Sequence, residues 1–300
     1  MLEHPLTLDQ QALDVVVETK VTCPFLGSLV DQGFLAVRGV AGNPLASIED
    51  VRRLGNEGGG DLGDLLVLFA AGNHALMRND SGTALDVPVP EGLFSLELPG
   101  SQGSHPGHSS ILQGDPRILA SGRFSEENWD RLAELSINGC LRRSDVGRFI
   151  AQNLARDPNS KVVGARVAEL LAQDLAGIVE AASAAFATLF NSNAGNDQRA
   201  LEQKLTKLLG EDNLVGSSGE FGLLFAFLAH DPATKQIDGE PALSLDHVRA
   251  MFAQKRLPAG WQNWKKSRQD WVVHTTPLLL NAGKEFLKFS DGGDGALPAR

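Results

Sequence analysis

The sequence predicts an all-α fold in a single domain spanning residues 1–300. Apolar residues recur at helical spacing through most of the chain, and no run alternates clearly between polar and apolar residues. Several of the apolar runs are preceded by residue types that cap helices, often with acidic residues just behind them. A hydrophobic content of 42% with 21% charged residues is typical of a globular chain that buries a sizeable core.

Charge and composition exclude several classes of partner. The net charge of −10 argues against nucleic acid or an anionic membrane, because both select basic patches. Cys23 and Cys140 are too few for a disulfide framework, and no apolar run approaches the roughly 18 residues of a membrane span. The N-terminus also lacks the features of a secretory signal. We therefore expect a cytoplasmic protein.

The first half of the chain predicts a succession of short helices. A cysteine followed by Pro24 begins one of them, and Gly33 suits the left-handed residue that ends it. Asp61 is expected to cap a central core helix that is apolar on all sides, and His74 near its end is interpreted as structural rather than as a metal ligand. The predicted helices or arms here are 7–19, 24–33, 47–54 and 61–76.

Residues 79–122 are rich in Pro, Gly and Ser, which predicts a long irregular segment. A segment of that length within a domain is usually functional or disordered. The polar cluster at 104–110 supports a function, since it contains His105 and His108. Two histidines at this spacing resemble a metal pair, but no nearby Cys or acidic residue completes a zinc site.

The second half predicts further helices with clearer caps. Ser125 and Ser244 each stand before an apolar run as N-caps. Glu220 stands first in an almost wholly apolar run, so it is either an ordinary first-turn acid or a carboxylate directed into an apolar pocket. The predicted helices are 125–135, 141–154, 162–190, 199–209, 220–229, 244–255 and 278–287.

Cys23 is the residue with the most reactive predicted surroundings. At a helix N-cap its sulfur faces the free N–H groups of Phe25 and Leu26, and these donors together with the helix dipole favour a thiolate. A thiolate in this setting is either a nucleophile or a soft metal ligand. A lone cysteine is also commonly a small buried hydrophobe, so the residues alone leave both interpretations open.

Five stretches occur in an order typical of one enzyme family. They are Cys23-Pro24 followed by Leu26, Leu29 and 33–35; Gly107-His108-Ser109-Ser110 with 124–129; 148–159; 219–227; and 245–252 with Lys255-Arg256-Leu257-Pro258. With these stretches the chain resembles the heme-thiolate peroxidases of the chloroperoxidase and unspecific peroxygenase type. The resemblance covers most of residues 20–160 and 215–261. Residues 160–210 have no counterpart and are interpreted as a helical insertion whose Ala-rich face is a candidate homodimer contact.

The resemblance implies heme b as the cofactor, with Cys23 as the proximal ligand of the heme iron. The expected heme-binding residues are Cys23, Pro24, Phe25, Leu26, Leu224 and Phe227. Leu224 and Phe227 share a helical face with Glu220, so the pattern fits either a pocket wall or plain core. Cys140 matches no family position and is expected to be structural.

The resemblance also implies an acid–base residue. Glu220 corresponds to the family glutamate that moves the proton of hydrogen peroxide from one oxygen to the other. Relatives place an Arg or His beside that glutamate. Asn213 stands at the Arg-like position, so His108, with His105 in reserve, is expected to orient Glu220 and tune its ionisation.

Three departures from the family pattern affect the predicted chemistry. Thr22 replaces the proline that precedes the cysteine, and Gly107 and Ser109 replace the two acidic residues around His108. Relatives bind Mg²⁺ or Mn²⁺ near a heme propionate through the first acid, so such an ion is not favoured here. The sequence thus predicts a peroxidase or peroxygenase that uses hydrogen peroxide to oxygenate or halogenate a small organic molecule. The alternatives are a heme-binding or sensing protein without turnover, and a heme-free helical interaction protein.

Overall fold

A computed structural model shows a mostly helical protein, which confirms the predicted fold class. It describes residues 21, 23–40, 43–77, 93–99, 112–115, 118–156, 162, 177 and 213–290. Within these ranges the helices are α1 (Pro24–Asp31), α2 (Ile48–Gly55), α3 (Gly63–Asn73), α4 (Glu126–Glu134), α5 (Arg143–Arg156), α6 (Asn213–Leu228), α7 (Leu245–Ala253) and α8 (Arg268–Ser290).

Short antiparallel strands accompany the helices, so the described part of the chain is mostly but not strictly helical. Their pairing orders are β1-β2-β4-β3, β5-β6 and β7-β9-β8. The strands are β1 (Val37–Val40), β2 (Asn43–Ser47), β3 (His74–Met77), β4 (Leu93–Pro99), β5 (Leu112–Asp115), β6 (Ile118–Phe124), β7 (Cys140–Arg142), β8 (Lys235–Ile237) and β9 (Glu240–Ser244). Most are too short to show an alternating pattern, and β4, β5 and the first part of β6 lie in the segment predicted to be irregular.

Helices α5, α6 and α8 pack against one another and form the main core. Small residues let α6 approach its neighbours closely. A Cβ placed on Gly222 would lie 1.8 Å from the Thr275 Oγ1 of α8, and one on Gly219 would lie 2.8 Å from the Phe69 ring of α3. The indole Nε1 of Trp271 donates a hydrogen bond of 2.9 Å to the Gly219 carbonyl. The position of α6 is therefore fixed by close contact between its backbone and side chains of neighbouring helices.

The caps account for several helix starts. The hydroxyls of Ser47, Ser125 and Ser244 accept hydrogen bonds from the amides three residues later, as predicted. Gly33 follows α1 with φ 74°, which confirms its predicted left-handed conformation. Asp61, however, is not the cap of α3, because Leu62 occupies that position and the Asp61 carboxylate instead accepts from the Arg268 backbone N–H at 2.8 Å.

Two other helices begin earlier than predicted. α6 starts at Asn213, so Glu220 lies in the middle of the helix and not in its first turn. The sequence between them is rich in Gly and Ser and resembles a loop, but these residues are small because neighbouring elements leave no room for larger ones. α8 starts at Arg268 and continues through Pro277.

Several sequence predictions lie outside the described residues. These include the helix at 7–19, the histidine cluster at 104–110 and the helices predicted between 163 and 209, apart from the single position 177. The single-domain organisation, the insertion and its dimer contact stay predictions. None of the described helices combines the length and the apolar character that a membrane span requires.

Candidate functional site

A cavity enclosing about 640 Å³ of empty space, counted to its open mouth, lies between α1, α3, α6 and α7. Two of its lining residues carry ionisable groups, and the rest are apolar or aromatic. The lining residues are Cys23, Pro24, Phe25, Leu66, Phe69, Glu220, Phe221, Leu223, Leu224, Phe227, Met251 and Phe252.

The α1 wall presents Cys23 at the N-cap of the helix. Pro24 occupies the first helical position, where its missing N–H costs no hydrogen bond, and Cys23 has the extended backbone of a cap residue. The N–H groups of Leu26 and Phe25 lie near the sulfur and lower the pKa of the thiol, although neither has the geometry of a full capping hydrogen bond. The side chain is 8% exposed, so the thiol is reached only through the cavity.

Burial nevertheless makes the thiol the stable form of Cys23. Desolvation raises the pKa of Cys23 from its ordinary value of 9.0 to about 11, and this effect exceeds that of the two amides. The negative charge of Glu220 raises the pKa further, whereas the ammonium of Lys255 lowers it. The helix-terminal donors favour the thiolate, as predicted, but burial outweighs them. A coordinating metal removes a thiol proton outright and reverses this preference.

The α6 wall presents Glu220, which is partly exposed, within an apolar surface. Leu223, Leu224 and Phe227 follow it on the cavity side of the helix. The ring of Phe227 packs edge-on against Phe25 of α1, with 5.0 Å between centroids, so the two walls contact each other beside the cavity. The cavity therefore brings together a soft sulfur and a carboxylate from distant parts of the chain.

Most of the predicted pocket residues line this cavity. Pro24, Phe25, Leu224 and Phe227 do so, together with Cys23 and Glu220. Leu26 does not line it, because it is fully buried on another face of α1. Its predicted contact with heme stays a prediction, and its amide N–H lies near the Cys23 sulfur.

Sequence reasoning missed the walls supplied by α3 and α7. Leu66 and Phe69 are spaced three residues apart on α3. Because the sequence of this helix is apolar on all sides, it does not show which residues line a cavity. Met251 and Phe252 come from the end of α7, where the resemblance covered the segment but suggested no role for these two residues. Behind these walls, Trp261 and Trp264 pack on Phe227 with centroid distances of 5.9 and 6.4 Å. Trp271 packs on Phe69 at 6.2 Å.

The donor set fits the heme implied by the resemblance. A heme iron needs one protein ligand, and a thiolate within apolar walls is a known arrangement. Within the described ranges no group of three or more His, Cys, Asp and Glu is arranged to hold a bare metal ion. Cys140 lies buried on β7 and does not line the cavity.

The predicted histidine partners of Glu220 cannot be placed. His105 and His108 lie outside the described residues, so their role stays a prediction, as does the absence of an Mg²⁺ or Mn²⁺ site near them. Comparisons with protein-family models, curated proteins and solved structures find no match to this chain. The function is therefore inferred from the cavity and from the motif resemblance.

Proposed function

We propose that this protein is a heme-thiolate peroxidase or peroxygenase that uses hydrogen peroxide to oxidise a small organic molecule. The observation that carries the proposal is the single apolar cavity lined by both the Cys23 thiol and the Glu220 carboxyl. The residues that the resemblance implies as iron ligand and as acid–base group both line it. A heme bound through a thiolate supplies cleavage of the O–O bond and oxidation of the substrate.

Cys23 would bind the iron through its Sγ atom, and its proton would leave to solvent. Because burial raises the pKa of the thiol to about 11, heme binding at neutral pH would release about one proton per heme. The N–H groups of Leu26 and Phe25 then stabilise the sulfur charge that burial alone disfavours. Pro24 and Phe25 would contact the cofactor on the same side.

Glu220 would serve the proton transfer that peroxide cleavage requires. One peroxide oxygen must lose a proton and the other must gain one, and a single positioned carboxyl can perform both transfers. The apolar surface around it, formed by Leu223, Leu224 and Phe227, would exclude water and bind an apolar substrate.

The first test is the visible spectrum of protein expressed with an adequate heme supply. Reduced protein exposed to carbon monoxide should show the red-shifted Soret band typical of thiolate ligation. Cys23→Ala should lose this band, whereas Cys140→Ala is the matched control, since it removes the other buried cysteine and should keep it. A protein that stays colourless and cannot be reconstituted would refute the proposal and favour the heme-free interaction protein.

The second test separates an enzyme from a heme-binding sensor. Glu220→Gln keeps the size of the side chain but cannot exchange a proton, so peroxide-dependent turnover should fall by about 10²- to 10⁴-fold. The carbon monoxide spectrum should not change. Unchanged turnover in the variant would reject Glu220 as the acid–base residue, and a wild-type protein that binds heme without turnover would support the sensor.

The proton balance at Cys23 gives a third test. Below the pKa of the thiol, the affinity for ferric heme should rise by about tenfold for each unit of pH, because the bound form lacks the thiol proton. The measurement is heme titration of the apoprotein at pH 6 and pH 7. An affinity independent of pH would show that the sulfur is not the ligand.

A further inference from the structure

Met251 is a sulfur-containing residue of the cavity that the proposed function does not use. Among the described residues that line the cavity, Cys23 and Met251 are the two that carry sulfur. The others have apolar, aromatic or carboxylate side chains, which hydrogen peroxide does not oxidise directly. A thioether, in contrast, is readily converted to a sulfoxide. Met251 is therefore the lining residue with redox chemistry that still lacks a role.

The cavity gives Met251 a route of access that its burial would otherwise deny. The side chain is only 2% exposed, and burial of this kind protects a thioether from reagents in bulk water. Met251 nevertheless lines a cavity that is open at its mouth. Hydrogen peroxide is close to water in size, so a peroxide molecule that enters the cavity contacts the Met251 side chain without unfolding of the protein.

Two polar contacts hold the helix of Met251 against α1. The Ser28 hydroxyl lies 3.4 Å from the Met251 carbonyl oxygen, and the Gln32 Oε1 accepts from the Leu257 N–H at 2.8 Å. The residue after Met251, Phe252, also lines the cavity. The thioether thus belongs to a wall whose backbone is held in place on both sides, and a reaction at the sulfur changes the chemistry of that wall.

We propose that Met251 is an oxidation site, at which hydrogen peroxide inside the cavity converts the thioether to a sulfoxide. A sulfur lone pair attacks one peroxide oxygen, so that an S–O bond forms while the O–O bond breaks. The second oxygen leaves as hydroxide and takes the proton of the first, and water is released. The sulfur is oxidised by two electrons and the peroxide is reduced by two.

The product changes an apolar wall into a polar one. A sulfoxide oxygen accepts hydrogen bonds, but Leu223, Leu224 and Phe227 of the same cavity have no donor in their side chains. A buried acceptor without a donor is costly, so the oxidised cavity binds apolar molecules less tightly. The supply of hydrogen peroxide to the cavity rests on the proposed function, whereas the access of peroxide to the thioether does not.

The experiment measures how fast hydrogen peroxide oxidises Met251 in the heme-free, folded full-length protein. Peptide mass spectrometry detects the added oxygen as a gain of about 16 mass units. The reference is an unfolded synthetic peptide of residues 245–256, treated in the same way. The folded protein should react within about tenfold of the peptide. A thioether that is reached only by global unfolding would react at least about 10³-fold more slowly, and protection of that size would overturn the inference.

A matched variant separates access through the cavity from burial alone. Leu132 on α4 is fully buried and does not line the cavity. Leu132→Met, made together with Met251→Leu, moves the buried thioether away from the cavity by volume-conserving substitutions. The new methionine should be oxidised at least about 100-fold more slowly than Met251 in the wild type, because only local or global opening exposes it. Equal rates at the two positions would overturn the role of the cavity.

The outcome is independent of heme binding. Rapid oxidation of Met251 in a protein that never binds heme would support the oxidation site and refute the proposed function. A thiolate-type heme spectrum together with a protected Met251 would do the reverse.

Discussion

Two buried lysines lie close to the cavity, and their surroundings differ. Lys266 is fully buried, and its Nζ donates to the carbonyls of Trp261 and Trp264 at 3.0 and 2.9 Å. The same ammonium lies 5.1 Å from the Trp261 ring centroid and 5.8 Å from that of Phe227. Lys255 has no such acceptor within the described residues. Burial lowers the pKa of both lysines to about 8, but only Lys266 has neutral acceptors that stabilise its charge.

The charges of the two buried lysines therefore differ in their contribution to folding. Lys266 connects the segment after α7 to the aromatic residues behind the cavity, so its charge contributes to the fold. Lys255 has no hydrogen bonds within the described residues that would offset its desolvation, although Cys23 and Asp31 favour its charged form. The stability of the two corresponding variants should therefore change in opposite directions.

Lys266→Met should have the largest effect. The substitution leaves two buried carbonyls without a donor, at about 1 to 3 kcal/mol each, and we expect the free energy of unfolding to fall by about 2 to 4 kcal/mol. Urea unfolding followed by circular dichroism measures this loss. Wild-type stability in the variant would mean that the two carbonyl contacts contribute nothing net.

Lys255→Met should increase stability at pH 7. A pKa lowered from 10.5 to about 8 corresponds to a cost of at most about 3 kcal/mol for holding the buried charge. Because methionine fills a similar volume without that cost, we expect unfolding to become harder by about 1 to 2 kcal/mol. The same urea measurement tests the sign, and a destabilised variant would indicate that Lys255 has a structural partner.

The advantage of Lys255→Met should depend on pH. The unfolded lysine keeps its proton up to about pH 10.5, whereas the folded one loses it near pH 8. Between these values the unfolded state binds more protons, so the wild type gains stability as the pH rises. The difference between variant and wild type should be constant below pH 8 and about half as large at pH 9.5. A difference independent of pH would exclude titration of Lys255 as its origin.

Gly27→Ala should have the smallest effect. Alanine is favoured over glycine within a helix by up to about 1 kcal/mol, but its Cβ would lie 3.1 Å from the flexible side chain of Lys255. The two contributions oppose each other, so the net change in unfolding free energy should be below about 1 kcal/mol. A large destabilisation would show that the Lys255 side chain cannot move away from the new methyl group.

The sequence allowed a good prediction of the helices whose boundaries depend on local chemistry. Ser47, Ser125 and Ser244 act on amides three residues away, so short windows contain the whole signal. The packing of Gly219 and Gly222 in the middle of α6 depends instead on Phe69 and Thr275, which are distant in the chain. The strands were missed for the same reason, because their pairing partners lie on other segments.

The residues of the candidate site also fall into two groups, those predicted from local sequence and those that required the tertiary arrangement. Cys23, Glu220 and the residues adjacent to each were found from motifs, whereas the walls contributed by α3 and α7 required the tertiary arrangement. At Cys23 the local amides that favour a thiolate were visible in the sequence, whereas the burial that outweighs them was not. Lys255 belongs to a motif that was recognised, but nothing in that motif indicated that its side chain lies along Gly27.

The tryptophans behind the cavity walls have an optical consequence. The chain contains no tyrosine, so its intrinsic fluorescence comes from four tryptophans. Three of them, Trp261, Trp264 and Trp271, contact rings that line the cavity. A light-absorbing ligand in the cavity would quench their emission by energy transfer, so the protein carries a built-in reporter of its own occupancy that needs no added label.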